Sequence, residues 1–162
     1  MNLRRFFLVL YAIAATQLLM TQVVFGMGGG SSSTGAEKAA QNPDYVKGKQ
    51  YIEQENWQAA IQSLSKVVAK DKDDADAFNY LGYANRQLGN LEIAFEYYHK
   101  ALDINPRHKG ANEYVGEAYL QVGNLIKAEE HLSRLDNICT FGCSEYTMLK
   151  RAVSNYKKSN SG

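Results

Sequence analysis

Proline, cysteine and net charge are the features that this sequence has least of. It contains two prolines in 162 residues, which argues against a turn-rich all-β fold and favours helices, because proline interrupts helical hydrogen bonding. Two cysteines are too few for a disulfide-framework protein, although they suffice for one bridge. The formal net charge of +1 lacks the basic excess that a general nucleic-acid binder carries. With 45% hydrophobic and 22% charged residues, the composition is that of a globular chain.

Residues 1–26 have the pattern of a secretory signal peptide. Arg4 and Arg5 form a short basic head, and no charged residue follows before Gly26. Val24 and Gly26 supply the small residues preferred before a cut, so we expect cleavage after Gly26. A retained membrane anchor is the alternative, because this uncharged stretch is just long enough to span a bilayer; a twin-arginine export signal is another. Each alternative places the rest of the chain outside the cytoplasm, and the periplasm is our prediction. The Gly/Ser-rich segment 27–40 is predicted to be a flexible linker.

A 34-residue period governs the following 102 residues. Three residue types recur in one register: Gly48, Gly82 and Gly116; Ala60, Ala94 and Ala128; Asn56, Asn90 and Asn124. The second period reads Phe78-x2-Leu81-Gly82, Ala94-x3-Tyr98, Ala101 and Pro106. This pattern resembles the tetratricopeptide repeat family, whose signature is an aromatic residue, Leu-Gly, Tyr, Ala, a second aromatic residue and Pro. On this resemblance we set the repeats at 41–74, 75–108 and 109–142.

The resemblance implies an all-α fold, a right-handed α-solenoid of three helix-turn-helix repeats. The recurring glycines and alanines would then let facing helices approach closely. A capping helix is predicted over 143–156, because an apolar face of Tyr146, Leu149 and Val153 follows the N-cap residue Ser144. Residues 157–162 are predicted to be a disordered tail. The stretch around Cys139 and the capping helix is also similar to small exported bacterial repeat proteins.

The family resemblance also implies a binding surface. Its members bind peptides or partner helices in a concave groove lined by the first helix of each repeat. The matching positions here are Tyr45, Lys49, Ile52 and Glu53, then Asn79, Tyr83, Arg86 and Gln87, then Glu113, Glu117, Leu120 and Gln121. Tyr83 and Arg86 are the strongest candidates, because Tyr and Arg are frequent interface anchors. We expect neither to lie on the face where Gly82 and Ala94 pack together. Basic residues precede acidic ones along this surface, so a segment of mixed charge is the expected partner.

Cys139 and Cys143 are the only cysteines and lie between the last repeat and the capping helix. Outside the cytoplasm, two cysteines this close most simply form a disulfide. A redox pair and a Cu(I) site through thiolates remain open as alternatives.

Other clusters of polar residues lack the spacing of a catalytic or metal site. The acidic run 71–76 resembles the start of a calcium loop, but Asp76 stands where glycine is required and Gly82 where glutamate is required. His99, His108 and His131 have no metal-ligand spacing and are expected to be solvated. We therefore predict no enzyme, cofactor or metal.

The predicted function is that of an exported scaffold or adaptor that binds another protein or peptide. We expect no nucleic acid, no small-molecule substrate, and a membrane only through an uncleaved leader. The alternatives are an envelope accessory protein that handles thiols or copper through Cys139 and Cys143, and an assembly factor anchored in the inner membrane.

Overall fold

A computed structural model describes residues 42–160, which form seven α-helices and no strand, so the predicted all-α class is confirmed. The helices are α1 (Pro43–Glu53), α2 (Trp57–Lys70), α3 (Ala75–Gln87), α4 (Leu91–Ile104), α5 (Lys109–Gln121), α6 (Leu125–Ile138) and α7 (Ser144–Ser159). The predicted signal peptide, the linker and the last two residues lie outside the described residues. Within 42–160, no helix is both long and apolar enough to cross a membrane.

Successive helices pair as three hairpins, and each hairpin turns through one residue in the left-handed region. Gly89 and Gly123 have φ of 80° and 77°, and Glu55 takes the same place in the first hairpin with φ of 56°. Glycine adopts this conformation without steric cost, whereas glutamate does not. Asn56 and Asn124 follow the turn and accept hydrogen bonds from backbone N–H groups three residues later. These side chains therefore begin the second helices by satisfying an otherwise unpaired donor.

The recurring glycines bring the two helices of a hairpin into close contact. A Cβ atom added to Gly82 would lie 2.6 Å from the ring of Tyr98, and one added to Gly48 would lie 2.6 Å from Leu64. Tyr98 and Leu64 are fully buried, as are the three recurring alanines. The missing side chains therefore leave space that the facing helix fills, as the spacing predicted.

The third hairpin differs, because the glycine there faces the capping helix. A Cβ atom on Gly116 would lie 2.6 Å from Leu149 of α7. Leu149 is fully buried, and α7 packs against both α5 and α6. The cap therefore contributes to the core of the third hairpin as well as covering its end.

Helix α7 extends beyond the predicted end at Tyr156. It continues to Ser159, and Asn160 caps it by donating its backbone N–H to the carbonyl oxygen of Tyr156 at 3.1 Å. Lys157 forms an ion pair with Glu129 of α6, which holds this last turn against the third hairpin. Lysine in a last turn is also favoured by the helix dipole. The prediction of disorder from residue 157 is therefore wrong for residues 157–159.

Candidate inner-face binding site

The first helices of the three hairpins, α1, α3 and α5, lie side by side. The ring of Tyr45 on α1 is 6.1 Å from that of Tyr80 on α3, and Tyr83 on α3 is 4.8 Å from Tyr114 on α5. We call the inner face the surface formed by the twelve predicted groove residues together with Glu145 of α7. Its residues lie on separate hairpins, which come together because the hairpins stack side by side.

Tyr83 and Arg86 lie at the centre of the inner face, where other side chains hold both of them. Tyr83 packs edge-on against Trp57, with ring centroids 5.6 Å apart. Arg86 donates from Nη2 to Glu117 Oε2 at 2.8 Å, and its guanidinium lies 5.4 Å from the Tyr83 ring and 5.8 Å from the Tyr114 ring. Only 7% of the Arg86 side chain is exposed. Arg86 therefore joins α3 to α5 and takes part in the packing between two hairpins.

Four of the predicted groove residues are buried: Tyr45, Asn79, Arg86 and Glu113. Each lies on a helix that has another hairpin beside it, so the neighbouring helix covers the seam into which the side chain points. Five are half-buried, namely Lys49, Ile52, Tyr83, Glu117 and Leu120, and three are exposed, namely Glu53, Gln87 and Gln121. In this arrangement the half-buried and exposed side chains are the ones that a partner can contact over a wide area.

The end of the inner face near the cap is acidic. Glu113 is only 3% exposed; this burial, reinforced by the nearby carboxylates of Glu117 and Glu145, raises its pKa to about 8, and Arg86 partly opposes the rise. Glu145 was missing from the sequence-based set, because the family pattern of three repeats does not extend into the capping helix. Its position in the first turn of α7, which packs on α5, is the signal that would have found it.

Comparison with known proteins agrees with this arrangement. Residues 45–108 match a family model described as tetratricopeptide repeat. This part of the chain resembles the tetratricopeptide repeat family. No curated protein matches the chain.

Solved structures of the same fold overlie most of this chain. The TPR2B domain of yeast Sti1 in its pHsp70 complex aligns with a TM-score of 0.65 at 19% identity, over 78% of this chain and 98% of that one. The first tetratricopeptide repeat domain of Spaghetti (RPAP3), bound to the HSP90 peptide SRMEEVD, aligns with a TM-score of 0.63 at 17% identity, over 72% and 90%. The Yersinia enterocolitica type III secretion chaperone SycD, in complex with a peptide of the translocator YopD, aligns with a TM-score of 0.61 at 19% identity, over 72% and 88%. The predicted solenoid fold is confirmed.

A second concave feature of the solenoid lies between the second helices α2 and α4. It is a cleft of about 510 Å³ whose lining includes Val68, Phe78 and Tyr97. Lys100 lies over two of these rings, 5.8 Å from that of Phe78 and 5.5 Å from that of Tyr97, and Asp103 lines the cleft beside it. The sequence did not predict this cleft, because its lining residues belong to separate hairpins and share no motif.

Two of the three histidines of this repeat protein are removed from solvent, contrary to expectation. His108 contacts Asp76 Oδ1 through Nε2 at 2.9 Å and begins α5 by accepting the N–H of Ala111 on Nδ1. His131 is buried and donates from Nδ1 to Asn112 Oδ1 at 3.0 Å, and its burial lowers its pKa to about 4. Both act as structural links between hairpin elements. Among the described residues, no group of three side chains is placed to hold a metal ion.

The two cysteines lie at the junction between the last repeat and the cap. Cys139 ends α6 and Cys143 precedes α7, with Cα atoms 5.7 Å apart, a separation that suits a disulfide. The sulfur of Cys143 also accepts the backbone N–H of Tyr146 at 3.5 Å. This pair is therefore placed to fix the orientation of α7 relative to α6.

Proposed function

We propose that this repeat domain is an adaptor that binds a segment of another protein on its inner face. The observation that carries the proposal is the row of first helices, on which the aromatic ring of Tyr83 and the polar side chains of Lys49 and Gln87 all reach solvent. Aromatic side chains beside polar groups are typical of protein interfaces. Further support comes from two structures of the same fold, which hold a peptide of another protein.

The structure changes how this proposal is best tested. Replacing Arg86 would remove the cation that pairs with Glu117 across two helices, so a loss of binding would be confounded with a loss of stability. Gln87 is exposed and lies one residue further along α3. A photo-reactive amino acid placed there reports on the inner face without disturbing the core.

The matched control position is Glu96, which is exposed on the second helix α4. We expect crosslinking from Gln87 to one recurrent partner protein, and little crosslinking from Glu96. The charge reversal Lys49→Glu should reduce the yield from Gln87, because it changes the charge of the same face. Equal or stronger crosslinking from Glu96 would place the partner on the second helices and contradict the proposal.

We also propose that the chain is exported to the periplasm and cleaved after Gly26, with a retained inner-membrane anchor as the alternative. The support is the basic head with Arg4 and Arg5 and the uncharged stretch that follows. The intact mass of the protein isolated from the cell envelope tests this. We expect a chain that begins at Met27, and a chain that begins at Met1 would contradict cleavage and favour the anchor.

Cys139 and Cys143 are proposed to form a structural disulfide in that compartment. Their placement between α6 and α7 supports this, because a bridge there restrains the cap. The alternative is a role in handling thiols or copper, which requires free thiols. Thiol titration of the exported protein distinguishes the two, since a structural bridge leaves no thiol to react.

A further inference from the structure

Glu113 is a buried residue whose carboxyl group has no partner among the described residues. It lies on α5 with 3% of its surface exposed, and within residues 42–160 it makes no hydrogen bond and no ion pair. Burying a carboxylate without compensation is costly, so buried acidic groups are normally paired. An unpaired acid at this depth, on a face proposed to bind another chain, indicates that its partner comes from outside.

The charges around Glu113 do not balance. Glu117 and Glu145 are the carboxylates close enough to raise its pKa, and Arg86 is the cation that lowers it. Arg86 is already bonded to Glu117 at 2.8 Å. Two carboxyl groups, those of Glu113 and Glu145, therefore share this end of the inner face without a cation of their own among the described residues.

A second buried polar group beside Glu113 also lacks a partner. Asn79 on α3 is 4% exposed, and its Oδ1 atom accepts no hydrogen bond from any described residue. Its side-chain amide lies 3.1 Å from where a Cβ atom of Gly110 would be. Gly110 precedes Glu113 by one helical turn on α5, so Asn79 and Glu113 lie close to one face of that helix. The Asn79 amide fills the space that a side chain on residue 110 would otherwise occupy.

The Glu113 carboxyl group and Asn79 Oδ1 lack partners at this site, and Arg86 Nε is a buried donor that also lacks one. Carboxylate oxygens accept hydrogen bonds, as does the Oδ1 atom of an asparagine side chain. A ligand that satisfies these acceptors and offsets the charge of the carboxylates must carry several donors and a positive charge. A guanidinium group has five N–H donors and an ammonium group has three. An acidic segment or a chain-terminal carboxylate would instead add a further negative charge to Glu113 and Glu145.

We propose that Glu113, Glu117, Glu145 and Asn79 form a subsite for a basic side chain, arginine or lysine, of the bound protein segment. This rests on the proposed function, because the segment that supplies the side chain lies on the inner face. Tyr83 and Tyr114 adjoin the subsite and offer ring surface to the apolar part of such a side chain. The partner segment is therefore basic where it meets the cap end of the domain.

Binding of a cation to this subsite has a measurable signature in protonation. With a pKa of about 8, Glu113 is largely protonated in the free protein at pH 7. A guanidinium beside the carboxylate favours the ionised form, so binding lowers that pKa and releases a proton. The groups that face Glu113 and enter this equilibrium are Glu117, Glu145 and Arg86.

The test uses N-acetyl-arginine amide as the probe and N-acetyl-citrulline amide as its uncharged match. The chemical shift of the Glu113 carboxyl carbon is followed by NMR while the full-length protein is titrated with acid or base. The titration is done without a probe and with each probe in turn. We expect the arginine probe to lower the midpoint of the Glu113 titration by about one pH unit or more, which corresponds to about tenfold tighter binding to the ionised form. The citrulline probe should leave the midpoint unchanged.

Two variants complete the test. At pH 9, where Glu113 is largely ionised, Glu113→Gln should weaken binding of the arginine probe about tenfold, the factor that one unit of pKa coupling represents, and it should abolish proton release. The variant should fold, because glutamine resembles the neutral acid that Glu113 largely is at pH 7. Glu96→Gln on α4 is the matched control and should change neither quantity. Equal binding of both probes, or a Glu113 titration that neither probe moves, would overturn the subsite. Because the probes need no partner, that result would leave inner-face crosslinking from Gln87 to decide the proposed function separately.

Discussion

Replacing Glu55 with glycine should stabilise the first hairpin. Glu55 has φ of 56° at the turn position where the other two hairpins carry Gly89 and Gly123. A side chain in the left-handed region costs about 1–2 kcal/mol. Glycine also lowers the stability by about 0.5–1 kcal/mol, because it gives the unfolded chain more conformational freedom. Glu55 is exposed, and its backbone N–H donates to the carbonyl oxygen of Ile52 at 3.0 Å in either case. The expected net gain is about 0.5–1 kcal/mol.

The reciprocal change, Gly89→Ala, isolates the same backbone effect with the opposite sign. No heavy atom lies within 4 Å of the added Cβ position, so no packing change accompanies it. We expect a loss of about 1 kcal/mol. Gly123 is a less suitable control, because the Tyr156 hydroxyl lies 3.6 Å from the corresponding position.

Urea unfolding followed by circular dichroism measures both changes, and amide hydrogen exchange locates them. Because each hairpin contacts mainly its neighbours, the gain from Glu55→Gly should appear first as slower exchange in α1 and α2. A destabilised Glu55→Gly variant would refute the argument that turn conformation limits the first hairpin, and so would a Gly89→Ala variant as stable as the unchanged protein.

Three further changes test the packing, the buried histidine and the cysteines. Gly82→Ala should lower the stability measured by thermal unfolding by about 2 kcal/mol. Its methyl group would lie 2.6 Å from a rigid buried tyrosine ring, and this overpacking outweighs the gain in helix propensity. Gly116→Ala should lower the stability less, because its methyl group meets the movable end of a leucine side chain. His131 has a pKa of about 4 in the folded protein and about 6.5 in the unfolded chain. Between these values the unfolded chain binds more protons, so the free energy of unfolding decreases as the pH falls from 6.5 to 4. In urea unfolding, His131→Gln should lose less stability between pH 7 and pH 4.5 than the unchanged protein does. The double variant Cys139→Ser and Cys143→Ser should be about 1–3 kcal/mol less stable than the oxidised unchanged protein, while inner-face crosslinking persists. Equal stability of the oxidised and reduced unchanged protein would contradict a structural bridge.

The sequence by itself determined the repeat and the local geometry of each hairpin. The order of residues along the chain shows the 34-residue spacing of Gly82 and its equivalents, and it shows the Gly-Asn pairs at 89–90 and 123–124. Helix boundaries, turns and the glycine facing a bulky side chain depend on contacts within about thirty residues. Such contacts require the same residue types at regular spacings, and a single sequence is enough to show those spacings.

Only the tertiary structure decided which side chains of the first helices are surface and which are interior. Arg86 and Glu113 occupy positions that the family pattern assigns to a groove, yet both are buried, because α5 of the next hairpin packs beside α3. Glu145 joins them from the cap. These pairings carry no period, since each is made once between elements that stacking alone brings together. Burial and charge balance are properties of that stacking, so the candidate subsite was beyond the reach of the sequence.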